Sequence, residues 1–204
     1  ADILISDVWL VASVVGWFVA SVGLFSRAPR SGVRRLGVGL LLYLVAGGGV
    51  SVYNDPAIVL FIKENVHRIR PTNDIHQTFS FPSGHTNGAI FMIGFLLFVL
   101  LLPVIETSPQ GEKDAVPEPK LAQATLVSIW IAAGLTTASG RMLADVHWMS
   151  DTMAGASLGA FLVSVGALAV NRLERMPMLP QDYDALEEKD RKARENSADI
   201  DDSS

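Results

Sequence analysis

The chain has 204 residues, half of them hydrophobic, with a formal net charge of -5 and no cysteine. The absence of cysteine excludes disulfides, thiolate nucleophiles and thiolate metal sites. Residues 173–204 contain ten acidic and five basic residues, so this segment carries the whole net charge and the rest is neutral. The hydrophobic residues are pooled in long blocks instead of recurring at a helical or strand period. Such blocks are typical of segments that meet lipid on every side.

Five apolar blocks are each close to the roughly 20 residues that a helix needs to cross the hydrocarbon of a bilayer. They cover about 8–25, 36–52, 84–102, 121–139 and 148–170. The second contains Gly47-Gly48-Gly49, which favours close helix contact in lipid, and the third ends before Pro103. We therefore predict an all-α polytopic membrane bundle of about five transmembrane helices.

The connections between the blocks are polar. Residues 26–35 form a short basic loop with four arginines, and 106–120 form a proline-rich linker. The segment 54–81 starts with an apolar run and continues with cations and histidines, which predicts a short helix lying at the membrane surface. The chain should thus consist of a membrane-embedded domain, 1–172, and a charged, flexible tail, 173–204.

Counting crossings predicts the topology. The segment 54–81 and the residues 140–147 share one face of the membrane, whereas the loop 26–35, the linker and the tail lie on the other. Arginines in a short loop favour the cytosolic side, so the first face and the N-terminus are predicted to be non-cytosolic.

Three cations converge on that first face: Lys63, Arg70 and Arg141. Buried or interfacial cations are costly unless they pair or bind something, and arginine offers a planar fork that suits phosphate oxygens. Ser83 and Gly84 open the third apolar helix, where free backbone N–H groups bind anions. A simple helix-capping role for Ser83 is compatible with phosphate binding.

Two histidines and an aspartate complete this group of residues. His147 and Asp151 are four residues apart, so they share one face of a helix. A carboxylate that holds one ring nitrogen leaves the other free to attack, and His85 supplies a proton donor for the leaving oxygen. This set is what phosphoryl transfer through a phosphohistidine requires.

Three stretches resemble, in order, the three motifs of the type 2 phosphatidic acid phosphatase superfamily. They are Lys63-x6-Arg70-Pro71, Pro82-Ser83-Gly84-His85 and Arg141-x5-His147-x3-Asp151. The resemblance implies that His147 attacks phosphorus, Asp151 orients it and His85 protonates the leaving group. It further implies phosphate-binding roles for Lys63, Arg70, Ser83, Gly84 and Arg141. The superfamily includes soluble vanadium haloperoxidases, a branch that the membrane-spanning blocks disfavour.

One position departs from the family pattern. The third motif of the family usually reads Ser-Arg, whereas Gly140 precedes Arg141 here and the serine is one position earlier, at Ser139. A lost hydroxyl donor to a bound anion would cost about 1.5–3 kcal/mol if nothing replaced it.

Residues outside the motifs receive ordinary interpretations. His67 and His76 are expected to be polar anchors at the membrane surface, with His67 possible at the site entrance. Arg68 is expected to contact lipid headgroups. Trp148 is interpreted as an interfacial aromatic that can also wall the pocket.

The sequence thus predicts a metal-independent membrane phosphatase without cofactor, acting on a lipid phosphomonoester or an isoprenyl diphosphate. Its partners are the lipid substrate and membrane lipid, with no nucleic acid. Two alternatives stay open. A phosphotransferase would use the same intermediate with an alcohol as acceptor, and a catalytically silent member would serve as a structural subunit of a membrane complex.

Overall fold

A computed structural model describes residues 5–44, 57–72, 78–106, 119–176, 188–189 and 191–192. The elements are α1 (Ile5–Arg27), α2 (Pro29–Leu42), α3 (Ala57–Val66), α4 (Gly84–Gly94), a π-helical segment (Phe95–Leu101), α5 (Leu102–Glu106), α6 (Pro119–Leu143) and α7 (Met149–Glu174). Gly47-Gly48-Gly49, His76 and most of the predicted linker and tail lie outside the described residues.

Three described helices are long and apolar enough to cross a membrane, namely Gly84–Ile105, Leu121–Leu143 and Met149–Glu174. They coincide with the third, fourth and fifth predicted spans. At the first predicted span, α1 contains a shorter apolar run, Val11–Arg27. The second predicted span, 36–52, is described only as far as residue 44. In this described part, α2 continues to Leu42. The predicted all-α membrane bundle is confirmed.

The prediction of a basic loop over 26–35 is wrong, because this segment is helical on both sides of Ala28. Pro29 is the first residue of α2, where the N–H that proline lacks would have no partner within the helix. Arginine is a good helix former, so a run rich in arginine continues the helix readily.

The predicted surface helix is short. Among the residues of 54–81 that the structure describes, it covers the ten residues of α3. His67, whose N–H donates to the Lys63 carbonyl over 3.0 Å, has a left-handed backbone with φ 54°. A left-handed residue directly after the last turn ends a helix, so the chain from His67 to Arg70 is irregular.

The prediction that the third span ends before Pro103 is wrong, because the helix continues to Glu106. Proline removes the hydrogen bond that its N–H would donate to the carbonyl four residues earlier, here that of Val99. Arg35 in α2 supplies a donor instead, because its Nη1 lies 3.0 Å from the Val99 carbonyl oxygen. The π-helical segment that precedes Pro103 also alters the backbone register, so the helix passes the proline.

Two tryptophans attach neighbouring helices to the backbone of α4. The Trp17 indole N–H of α1 donates to the Met92 carbonyl over 2.9 Å, and that of Trp130 in α6 donates to the Ile90 carbonyl over 2.7 Å. In lipid, a buried indole N–H must find a protein acceptor. Around these bonds, Trp17 packs against Phe91 and Phe95 at centroid distances of 6.3 and 5.1 Å.

Small residues bring α7 against α4. A Cβ at Gly155 would overlap the carbonyl oxygen of Ser83, and one at Gly159 would lie 2.7 Å from the Asn87 carbonyl oxygen. Two glycines four residues apart therefore let the two backbones touch, as in other close-packed membrane helices. This contact places the start of α7 beside the start of α4, where the Ser83 N–H donates to the Asp151 carbonyl over 2.9 Å.

The chain forms two compact units, Ala1–Asn171 and Arg172–Ser204. Every predicted site residue belongs to the first. In the second, an exposed ion pair joins Lys192 to Glu188 over 2.7 Å. The predicted domain division and the flexibility of 173–204 stay predictions.

Candidate active site

The predicted site residues lie at one end of the helix bundle. Lys63 is in the last turn of α3, Arg70 in the irregular segment after it, Ser83 directly before α4, Gly84 and His85 in its first turn, Arg141 in the last turn of α6, His147 before α7 and Asp151 in its first turn. All except Gly84 and His85, which are half-buried, are at most 8% exposed. The fold therefore collects these ionisable groups where the helices end.

Arg70 is fixed by backbone carbonyls from two segments. Its Nε donates to the Thr78 carbonyl over 2.8 Å, and its Nη2 donates to the Phe79 carbonyl over 3.3 Å. Its Nη1 donates to the Val146 carbonyl over 2.9 Å and lies 3.2 Å from Nε2 of His147. The guanidinium is thereby aimed at the imidazole.

The contacts of His147 define its tautomer. A guanidinium can only donate, so Nε2 facing Arg70 accepts and carries a lone pair. The proton is then on Nδ1, which lies 3.6 Å from Oδ2 of Asp151. The unprotonated nitrogen thus points toward the cations and the protonated one toward the carboxylate.

The surroundings of His147 keep its imidazole neutral. The pKa of His147 is lowered from 6.5 to about 2 by burial, the largest cause, together with the charge of Arg70 and of more distant groups. The further groups that lower this pKa are Arg141, Lys63 and His85. All the predicted cations and the second histidine therefore act electrostatically on His147, and a neutral imidazole is the form that attacks as a nucleophile.

Asp151 also has a structural role. Its Oδ2 accepts the backbone N–H of Trp148 over 2.8 Å, which caps the start of α7 in the manner of an acidic residue in a capping box. Oδ1 forms an ion pair with Nη1 of Arg68 over 3.2 Å. The side chain is fully buried, so both oxygens depend on these contacts.

Ser83 caps α4. Its Oγ accepts the backbone N–H of Thr86 over 3.4 Å and the hydroxyl of Thr86 over 3.1 Å. The hydroxyl hydrogen of Ser83 is not used in these bonds, so the residue retains one donor. Gly84 and His85 follow in the first turn, whose N–H groups have no partner within the helix. The capping role of Ser83 therefore leaves donors at this helix start that an anion can use.

Lys63 and Arg141 each occupy the last turn of a helix, where the helix dipole favours a cation. Together with Arg70 they make the site strongly positive. Among the described residues, no three His, Asp or Glu side chains cluster as a metal ion would need. The donor chemistry of the site therefore suits an anion.

The sequence profile of the PAP2 superfamily matches residues 36–175. The chain belongs to the PAP2 superfamily. The matched range contains every predicted site residue and ends close to the start of the acidic tail. Among curated proteins, none matches the sequence.

The fold resembles a solved PAP2 structure, the crystal structure of the first transmembrane PAP2 type phosphatidylglycerolphosphate phosphatase from Bacillus subtilis. The TM-score is 0.54 at 19% sequence identity, and the alignment covers 84% of this chain and 79% of the other. At this identity the likeness establishes the fold. The protein is accordingly a membrane-embedded member of the PAP2 superfamily.

The departure from the PAP2 motif has a structural consequence. Ser139 is exposed, whereas Arg141 two residues later is buried, so the displaced serine does not turn toward the cations. At Gly140 an added Cβ would have no heavy atom within 4 Å. The site therefore has space for the serine that the family usually carries.

Near the PAP2 motifs, Arg68 makes contacts that the sequence did not predict, whereas the anchoring role of His67 stays a prediction. Arg68, predicted to contact lipid headgroups, pairs with Asp151 and donates to the Ser150 hydroxyl over 2.5 Å. His67 is exposed and contacts the edge of Phe79 at a centroid distance of 4.7 Å. The pairing of Arg68 with Asp151 joins residues 83 positions apart, and the local sequence carries no signal for it.

Proposed function

We propose that this protein is a metal-independent phosphatase that hydrolyses a lipid phosphomonoester or diphosphate through a phosphohistidine on His147. The observation that carries the proposal is the lone pair of His147 Nε2, which faces the Arg70 guanidinium within a buried, positive site. Membership of the PAP2 superfamily and the membrane-spanning helices support a lipid phosphate as substrate.

The first step transfers the phosphoryl group to the enzyme. Nε2 of His147 attacks phosphorus, an N–P bond forms, and the bond to the leaving oxygen breaks while His85 gives that oxygen a proton. Lys63, Arg70 and Arg141 hold the equatorial oxygens, where the charge is concentrated. Fixed cations in a water-poor site make the largest contribution to such a transition state.

The second step releases phosphate. His85, now neutral, takes a proton from water as the water oxygen attacks phosphorus, and the N–P bond breaks to restore His147. Asp151 stabilises the positive charge that develops on the imidazole during each step. An acceptor alcohol that replaced water would make the protein a transferase.

The test is phosphate release by protein purified in detergent, from a panel of lipid monophosphates and diphosphates in the presence of EDTA. Wild-type protein should release phosphate, and His147→Ala should not. His67→Asn is the matched control, because His67 is exposed and asparagine tolerates its left-handed backbone. An EDTA-sensitive activity, or one that survives in His147→Ala, would contradict the proposal.

A trapped intermediate tests the mechanism. Brief incubation with a ³²P-labelled substrate should label the protein with a bond that acid cleaves and alkali does not. His85→Asn should slow both formation and loss of the label. Adding short-chain alcohols distinguishes hydrolysis from transfer, because a transferase would yield phosphorylated alcohol.

We further propose that the site faces the non-cytosolic side, because the arginines of α1 and α2 lie at the opposite end of the bundle. The chain has no cysteine, so single cysteines report orientation cleanly. Asn65→Cys on the site face and Ser26→Cys on the other are both exposed positions. In intact cells a membrane-impermeant maleimide should label Asn65→Cys and spare Ser26→Cys; the reverse pattern would overturn the orientation.

A further inference from the structure

Arg68 lies beside the proposed catalytic residues. It pairs with the oxygen of Asp151 that His147 does not approach. Its Nη1 is 3.2 Å from Oδ1 of Asp151, whereas His147 and the Trp148 N–H both approach Oδ2. A carboxylate held at one oxygen still swings about its terminal torsion, which is broad. An ion pair at Oδ1 and a hydrogen bond at Oδ2 together restrict its plane, and with it the direction from which Asp151 meets the imidazole.

The guanidinium of Arg68 is itself held in place. It donates to the Ser150 hydroxyl over 2.5 Å and lies over the Trp148 ring at 5.7 Å from the centroid. Its backbone carbonyl accepts the N–H of buried Ser80 over 2.9 Å. The indole N–H of Trp148 in turn donates to the Ile69 carbonyl over 2.9 Å. These contacts tie the irregular segment after α3 to the start of α7.

The geometry uses properties that only arginine combines. Nη1 of Arg68 contacts both the Asp151 carboxylate and the Ser150 hydroxyl while the planar guanidinium lies over an aromatic ring, whereas a lysine ammonium is a point charge. The side chain of Arg68 is 38% exposed, and that of Asp151 is fully buried. The pair therefore sits at the rim of the site, with the carboxylate inside and the cation at the surface.

We propose that Arg68 is a positioning residue for the reaction, which acts through Asp151 to hold His147 in line for attack. The inference rests on the proposed function, since it assigns a part in the same phosphoryl transfer. It separates Arg68 from Arg70, because Arg70 faces the attacking nitrogen itself. Arg68 should therefore affect the rate of the chemical step and not the binding of phosphate.

A double-mutant cycle tests this inference. Arg68→Gln should lower kcat by about tenfold to a hundredfold, the loss typical when the outer partner of a functional histidine is removed. KM should change by less than about twofold, because uniform substrate binding is untouched. In the Asp151→Asn background, Arg68→Gln should cause less than about a threefold further loss, since residues that act as one unit are not additive.

Two further variants guard against a simple folding defect. Arg68→Lys keeps the charge and should recover part of kcat. Ser150→Ala removes only the hydroxyl contact and should lower kcat in the same direction by a smaller factor. All variants are compared by gel filtration and thermal melting, and Arg30→Gln serves as an exposed control outside the site.

The outcomes separate this inference from the proposed function. Independent, multiplicative losses from Arg68→Gln and Asp151→Asn in an active wild type would overturn the positioning role and leave the phosphatase intact. A raised KM with unchanged kcat would make Arg68 a substrate-binding residue and would also overturn it. A folded wild type that releases no phosphate from any substrate would instead overturn the proposed function and this inference together.

Discussion

Gly155 is the position where one added methyl group should separate the two halves of the site. A Cβ there would overlap the Ser83 carbonyl oxygen and lie 3.2 Å from the Asn87 backbone nitrogen. Both are backbone atoms, so no side-chain rotation relieves the contact. Overpacking of this kind costs about 1–3 kcal/mol, and the backbone clash favours the upper end. Gly155→Ala should also pull the Ser83 N–H away from the Asp151 carbonyl.

The magnitude is worked out against a matched control. Replacing a helical glycine by alanine stabilises a helix by about 1 kcal/mol when space is free. Gly37 in α2 is exposed, and a Cβ there would meet nothing within 4 Å. With about 2–4 °C per kcal/mol for a chain of this size, Gly37→Ala should raise the melting temperature by about 2–4 °C. Gly155→Ala should lower it by about 4–8 °C, for a net loss of about 2 kcal/mol.

The assay is thermal unfolding of both variants in one detergent, followed by phosphate release at a temperature where both stay folded. Gly155→Ala should lose most of its activity while folded, whereas Gly37→Ala should keep the wild-type rate. A Gly155→Ala protein as stable and as active as Gly37→Ala would refute the close approach of α4 and α7.

Three further predictions follow from single features. Arg35→Gln should lower stability by about 1–3 kcal/mol, because it removes the donor to the buried Val99 carbonyl; thermal melting measures the loss. Gly140→Ser should fold normally and release phosphate at least as fast as wild type, because the site has space for the side chain. Since burial and neighbouring cations lower the pKa of His147 from 6.5 to about 2, the unfolded chain binds a proton near pH 6.5 and the folded one does not. Stability should thus fall by about 1.4 kcal/mol per pH unit below pH 6.5, and His147→Asn should lack this part of the decline.

Each of these has a clear contrary result. An unchanged melting temperature in Arg35→Gln would show that another donor serves Val99. Loss of folding in Gly140→Ser would mean that the space beside α6 is occupied. An equal decline in stability from pH 7.5 to 5.5 in wild type and in His147→Asn would mean that the imidazole is not held neutral in the folded protein.

The long membrane helices could be predicted because an uninterrupted apolar block needs no tertiary information to be recognised. The gathering of the motif residues at one end followed from counting crossings. By contrast, the continuation past Pro103 depends on Arg35, which is 64 residues from Val99 in sequence. Local rules for proline predict a helix end there, whereas the π-helical register and this long-range hydrogen bond together accommodate the proline.

The contacts of Arg68 illustrate the same limit inside the site. Its charge and interfacial position indicate a lipid contact, and nothing in its local sequence names Asp151, which is 83 residues later. The helical form of 26–35 was missed for a different reason. Clustered arginines and a proline suggest a loop, although each is compatible with the first turns of a helix.

The contacts of Arg70 join parts of the chain that are synthesised at different times. Its guanidinium needs the Val146 carbonyl, which is synthesised 76 residues later, just before α7. Until Val146 is synthesised, this guanidinium can contact the carbonyls of Thr78 and Phe79 but not the one that lies beside His147. His147 and Asp151 also come later in the chain than Arg70, so the candidate site is incomplete until the start of α7 has been made. The order of synthesis therefore makes the last membrane helix the final component of the candidate site.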